Sequence, residues 1–282
     1  MIHFNLTPSV YSLIFFLLTL YESCAEPIIN TEPSDPSNAA EKALFSDYPF
    51  IVSIGTKYHP ITKQELSYKS GHFCGGSLVT KRHVVTAAHC FDTDEKKAHV
   101  RVLVGISNFY QEPEVIDVEG WTKYVDWPLR KLESPYHDIA VLKLKKEVTT
   151  PNVVLIPLYN KHYDKSDIHL ESIGWGRTEM SNESPDLLKI PLKIVPRAKC
   201  EREFQDLLGD EYYIRMWKLC TRSPKKLYLG SGDSGGPLIY KENGVMKLFG
   251  VNEANCDRTC LMLNIHARVY NYVDFITDMI KK

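Results

Sequence analysis

The strongest chemical signal in the sequence is the run Gly230-Ser231-Gly232-Asp233-Ser234-Gly235-Gly236-Pro237-Leu238. Its four glycines cannot fill a core. They can let a backbone turn sharply and aim its N–H groups at one point. Ser234 sits in the middle as the reactive atom's carrier, but a free serine hydroxyl is a poor nucleophile at neutral pH. It becomes one only with a base in hydrogen-bond reach and a third group to orient that base. The competing reading is a glycine-rich surface loop with an incidental serine. Gly-Asp-Ser-Gly-Gly-Pro is too long a pattern to arise casually, which favours chemistry.

Two upstream stretches offer the partners. Thr86-Ala87-Ala88-His89-Cys90 follows the strand-like pair Val84-Val85, and His137-Asp138 opens the apolar run Ile139–Leu144. Taken singly, a histidine is more often a surface or satisfied core residue, and an aspartate at a strand start is more often a turn residue. Together with Ser234 they supply a nucleophile, a base and an orienting carboxylate.

The elements that must hold these residues follow from the pattern of the chain. It has 282 residues, 44% hydrophobic and 24% charged, enough for one large core or two small ones. A formal net charge of -1 gives no electrostatic reason to expect a nucleic acid or an acidic membrane as partner. From Tyr48 onward, short apolar runs are broken by Gly, Pro, Asn or Asp. They include Phe50–Ile54, Gly76–Val79, Val100–Val104, Ile139–Leu144, Lys189–Val195, Leu238–Tyr240, Lys247–Val251 and Ile265–Val269. That rhythm predicts an all-β chain of antiparallel strands in a barrel or a sandwich. Val269, Val273, Ile276 and Ile280 fall at helical spacing and predict a C-terminal core-packing helix.

The N-terminal segment sets the expected compartment. Tyr11–Leu20 is apolar but too short to span a bilayer, and Ser23-Cys24-Ala25 offers small residues of the kind a signal peptidase reads. Residues 1–25 therefore read as a secretory signal, with a short buried N-terminal helix as the alternative because Lys and Arg are missing at the start. Residues 26–47, rich in Pro, acidic and small residues, read as a pro-region or N-terminal linker. Residues 48–282 read as the folded domain. Cleavage after Ala25 would remove Cys24 from the seven cysteines and leave an even set, which in a secreted chain reads as disulfides. With no Cys-x-x-Cys pair, no zinc site and no metal is expected; no cofactor is expected either. Asn182-Glu183-Ser184 is a glycosylation sequon, placing a candidate glycan on Asn182.

The motifs resemble those of the trypsin/chymotrypsin-like serine proteases. The order His89, Asp138, Ser234 is that of the chymotrypsin group, whereas subtilisins and α/β-hydrolases use other orders. The blocks that carry the resemblance are Cys74-Gly75-Gly76-Ser77-Leu78, Thr86-Ala87-Ala88-His89-Cys90, Asp138-Ile139-Ala140-Val141-Leu142, Gly174-Trp175-Gly176, Ala198-Lys199-Cys200, Gly232–Pro237 and Ala267-Arg268-Val269. They cover nearly all of the chain from Tyr48 onward. The resemblance implies two six-stranded antiparallel β-barrels with the triad in the cleft between them. It also implies that Ser234 attacks a peptide carbonyl, His89 takes and returns the proton, and Asp138 fixes the imidazole tautomer. The N–H groups of Gly232 and Ser234 would form the oxyanion hole. Cys74 would pair with Cys90 and Cys200 with Cys220.

Four departures from the family pattern limit the transfer. The specificity-pocket positions hold Tyr228, Leu229, Ala254 and Asn264, with no carboxylate to meet a basic side chain. Trypsin-like cleavage is therefore not expected, because a buried cation would go unpaired. Gly230 replaces a pocket cysteine, and a local Cys256–Cys260 bridge balances the cysteine count. The strand expected to pair with the substrate backbone reads Asn252-Glu253-Ala254, so Glu253 would bring a negative charge to the substrate. The activation terminus is missing at its usual place. Ile28, exposed by removal of Glu26-Pro27, is the candidate ammonium partner for Asp233. The expected function is a secreted serine endopeptidase with non-trypsin-like specificity, a monomer whose partners are peptide or protein substrates and a protein inhibitor, with no nucleic acid and no membrane after signal removal. The alternatives are a catalytically weak or inactive homologue acting as a binding or regulatory protein, and an esterase using the same triad.

Overall fold

The structure, a computed structural model, describes residues 40–59, 61–92, 99–126, 137–163, 168–178, 184–208, 213–256 and 262–282. The first barrel is closed by six strands: β2 (Ile51–Thr56), β3 (His72–Thr80), β4 (His83–Thr86), β5 (Val100–Val104), β6 (Glu114–Lys123) and β7 (Ala140–Leu144). Going round the barrel the order is β2-β3-β4-β7-β6-β5, and every pairing is antiparallel. A four-residue helix, α1 (Tyr68–Gly71), leads into β3.

The second barrel uses β8 (His169–Gly174), β9 (Leu188–Val195), β10 (Lys218–Arg222), β11 (Pro237–Glu242), β12 (Val245–Cys256) and β13 (Leu263–Arg268). The ring β9-β10-β13-β12-β11-β8 closes because β8 also pairs with β9. The two six-stranded antiparallel barrels agree with the fold the sequence resemblance implies. A two-residue strand, β1 (Glu41–Lys42), adds to the outer edge of β9, and the neighbouring Ala43 is buried. The described part of the segment before Tyr48 is thus docked on the second barrel.

Most apolar runs in the sequence became strands because each could bury a continuous face. Ile51, Val52, Ile54, Leu78, Val84, Val102 and Leu142 are all at 0–1% exposure in the first core. The strands β6, β8 and β10 lie outside those runs. In β6, Glu114–Lys123, only Ile116 is buried. A half-exposed strand held by ladder hydrogen bonds leaves a weak hydrophobic imprint. The helix α2 (Arg197–Leu208) is half charged, and its described side chains pack through Cys200 and Phe204 one turn apart. At the C-terminus the periodic segment divides into a 3₁₀ turn, Val269–Tyr272, and α3 (Val273–Met279). Tyr272, Phe275, Ile276 and Met279 face the core.

Cys74 of β3 is bonded to Cys90, 16 residues on, and Cys200 to Cys220 across 20 residues. The first bridge ties the turn that carries His89 to the barrel wall. Closing a loop of that length stabilises by about 3 kcal/mol through loss of unfolded-state entropy. The double variant Cys74→Ala/Cys90→Ala is expected to lose about that much in urea denaturation; an unchanged midpoint would refute the account.

Candidate active site

Strand pairing brings His89 and Asp138 together. In the antiparallel pair β4–β7, Thr86 lies opposite Ala140, so β4 leaves the sheet where β7 enters it. His89, three residues after Thr86, then meets Asp138, two residues before Ala140. The His89 backbone N–H donates to Asp138 Oδ1 at 2.8 Å, and His89 Nδ1 lies 2.6 Å from Oδ2. An ionised carboxylate only accepts, so Nδ1 carries the proton and Nε2 presents a lone pair. Burial raises the Asp138 carboxyl, but the adjacent imidazole, the two hydrogen bonds and Lys218 outweigh it and leave the group below the ordinary carboxylate range. The preceding His137 is held from the other side. Its Nδ1 lies 2.9 Å from Tyr272 Oη, and its ring stacks on Trp217 at 4.2 Å.

The Ser234 loop is pinned to the first barrel. Gly75 N–H of β3 donates to Ser234 O at 2.8 Å, and a Cβ at Gly235 would sit 2.1 Å from Thr86 Oγ1 and 3.0 Å from Ala87 N. The loop backbone therefore lies directly against the residues that precede His89, and Ser234 itself is half-buried. Gly232 has φ +95° and Gly235 φ +76°, conformations that side chains resist. Gly232 O accepts from His72 Nε2 at 3.1 Å, while His72 Nδ1 takes the Ser53 hydroxyl at 2.8 Å. Burial pushes His72 down to about 4, so the ring is a neutral strut.

Asp233 is buried behind the serine. Its Oδ1 accepts from Gly176 N–H and its Oδ2 from Gly230 N–H, each at 2.9 Å. Burial pushes its carboxyl up to about 7 against the pull of those two donors. Among the described residues no cation pairs with it, and Ile28 lies outside them. The Asp233 carbonyl accepts from Asn252 Nδ2 at 3.0 Å. Asn252 also donates to Ser172 Oγ and accepts from His266 Nδ1, and His266 Nε2 takes the Thr221 hydroxyl at 2.7 Å. This chain crosses β8, β10, β12 and β13 with its donors and acceptors matched, which is what makes a buried polar path tolerable. Burial pushes His266 down to about 3, keeping it neutral.

The other residues singled out by sequence divide clearly. Tyr228, Leu229 and Asn264 come together in the second barrel, where Asn264 Oδ1 accepts from Leu229 N–H at 2.9 Å. Their exposures are 0%, 5% and 0%. Ala254 pairs with Ile265 through its backbone. The Asn252 N–H donates to Gly236 O, and its carbonyl accepts from Gly235 N–H, so this part of β12 is tied to the serine loop. Glu253 forms an ion pair with Lys218 of β10, which sequence reasoning did not identify; the carboxylate is matched by a cation of the same protein. His72 and Ser53 were also missed. Nothing in their spacing marks them, because their partner Gly232 is 160 residues away from His72. Residues 1–25, Asn182 and the Cys256–Cys260 bridge lie outside the described residues, apart from the backbone of Cys256 at the end of β12.

Three groups of metal-ligand type, Cys74, His89 and Cys90, lie together. The two sulfurs are bonded to each other, so neither offers a thiolate. Among the described residues no helix is long and apolar enough to cross a membrane.

Comparison with known proteins agrees with this fold. The mouse hepatocyte growth factor activator serine protease is 31% identical over 228 residues, 76% of this chain but 34% of that protein, so the chain spans about a third of its length. The venom peptide isomerase heavy chain of Agelenopsis aperta is 29% identical over 76% of this chain and 88% of its own. Among solved structures, a scabies mite inactivated protease paralogue superposes with TM-score 0.69 at 25% identity, covering 86% of this chain and 96% of that one. Neuropsin, a serine protease of mouse brain, shares the fold at TM-score 0.68 and 22% identity, over 86% and 98%. The trypsin family model matches residues 54–276, taking in both barrels, the His89–Asp138 pair and the Ser234 loop, and the chain therefore belongs to the trypsin family.

Proposed function

We propose that the protein is a secreted serine endopeptidase that works through an acyl-enzyme, with Ser234 as nucleophile, His89 as general base and acid, and Asp138 as the orienting carboxylate. The observation that carries this reading is the two-point hold of Asp138 on His89, at 2.8 and 2.6 Å, which fixes the proton on Nδ1. With that proton on Nδ1, His89 Nε2 takes the Ser234 hydroxyl proton as Oγ bonds to the peptide carbonyl carbon. The proton passes to the leaving amine as the C–N bond breaks. Water, deprotonated by the same nitrogen, releases the acyl group and restores the serine. Gly232 and Ser234 N–H groups would hold the oxyanion, a role that suits a glycine at φ +95°. The buried Tyr228 and Asn264 support a side-chain site unlike that of trypsin. No cofactor or metal is required, and a monomer suffices.

A second reading, an inert homologue that binds or regulates other proteins, is favoured by the burial of those same pocket positions. It is also favoured by the inactivated relative among the structural neighbours. A fluorophosphonate probe separates the two. Covalent labelling of the mature protein at neutral pH, mapped to Ser234 and absent in Ser234→Ala, is expected. Folded protein that stays unlabelled would overturn the enzyme reading in favour of the homologue.

A further inference from the structure

The β12–β13 ladder has an irregularity at one place that matters. Asn252 pairs with His266 and Ala254 with Ile265, so Glu253 is the extra residue between two successive pairs. A bulged residue steps out of the up-and-down alternation of its strand and aims its side chain anew. Here the carboxylate lands on Lys218 Nζ, with the two side chains only 12% and 15% exposed. Lys218 is next in the chain to Trp217, whose ring stacks on His137, and His137 is next to Asp138. The pair therefore lies near enough to the His89–Asp138 unit for their charges to interact. Asp138 and His89 both act on Glu253, and Lys218 acts on Asp138.

We propose that Glu253 is a positioning residue for the triad: its carboxylate neutralises Lys218, so that Asp138 remains the uncontested anionic partner of His89. The inference rests on the roles given above to His89 and Asp138. An ammonium buried at this place without a counter-charge would draw the Asp138 carboxylate toward itself and oppose an imidazolium on His89. With Glu253 ionised, the four groups together carry one negative charge while His89 is neutral and none when it is protonated. That favours taking up the serine proton. The other charged group on the His89 turn, Asp92, is paired with Lys123 of β6. Burial pushes the Glu253 carboxyl upward and Lys218 opposes this. Protonation of Glu253 as pH falls would therefore expose Lys218 and weaken the base.

The test is an NMR titration of the His89 Cε1–H resonance in the mature protein, assigned by its loss in His89→Gln. Glu253→Gln leaves Lys218 uncompensated and is expected to lower the His89 midpoint by about one pH unit, the scale of a nearby charge. Lys218→Met/Glu253→Gln, which removes both charges, is expected to restore it. A folded Glu253→Gln with an unmoved midpoint, or a fall that the double variant fails to reverse, would overturn the proposal. Should Glu253→Gln fail to fold, Lys218→Met decides: loss of the cation is expected to raise the midpoint or leave it, and a fall there overturns the proposal. The titration needs no turnover. An inert Ser234 beside the expected midpoints would sink the enzyme reading alone.

Discussion

Replacing Asp138 with asparagine is expected to slow Ser234 labelling and peptide hydrolysis by about 10⁴-fold while leaving the fold intact. The reason lies in how the carboxylate is used. Oδ1 accepts from the His89 backbone N–H and Oδ2 from Nδ1. An amide has one acceptor and one donor, and its oxygen will keep the backbone bond. Its NH₂ then faces Nδ1 and forces the ring proton to Nε2, removing the lone pair that must accept the serine proton. Circular dichroism and the urea midpoint should stay close to the native values, since shape and one hydrogen bond are preserved. A variant that retained more than about a tenth of the native labelling rate would mean that Asp138 is structural.

Gly235→Ala is expected to be a severely damaging single-methyl change, destabilising by about 2–5 kcal/mol and abolishing labelling. Two independent effects add. The residue has φ +76°, which costs an L side chain about 1–2 kcal/mol. The new Cβ would lie 2.1 Å from Thr86 Oγ1 and 2.6 Å from Gly75 O, and relieving such overpacking costs about 1–3 kcal/mol. Thr86 cannot simply rotate away, because its hydroxyl donates to Gly75 O at 2.8 Å in the buried interior. The loop must retreat instead, carrying Ser234 with it. Urea denaturation with parallel labelling checks both parts. A stable, labelled variant would show that the loop has room these contacts deny.

These expectations draw unequally on sequence and on fold. Ser234, its glycines, His89 and Asp138 were legible because each lies in a short motif whose residue types carry the chemistry. The apolar strands were legible because burial of a continuous face leaves a periodic signal. By contrast, β6 buries only Ile116, and the described side chains of α2 reach the core through Cys200 and Phe204. Their ladders and turns rest on backbone hydrogen bonds, which any sequence can make. Tyr228 and Leu229 were assigned to the candidate pocket by counting back from Ser234, and Asn264 by the family resemblance. Their burial was not legible, because it depends on which strand face meets the core of the second barrel.

The sequence by itself determined the chemical parts: a serine in a loop of glycines, a histidine and an aspartate at strand ends, cysteines to tie the frame, and family membership. Only the tertiary structure decided how charge is balanced around them. Glu253 looked like an anion waiting for substrate until β10 brought Lys218 beside it, 35 residues away in sequence. Asp233, expected to meet an ammonium, and Gly232, expected in the oxyanion hole, are also held by Gly176 just past β8 and by His72 of β3. Such pairings are set by barrel register and by one bulge in β12. A one-residue slip in either would send each side chain to the opposite face, so no local pattern in the sequence could have announced them.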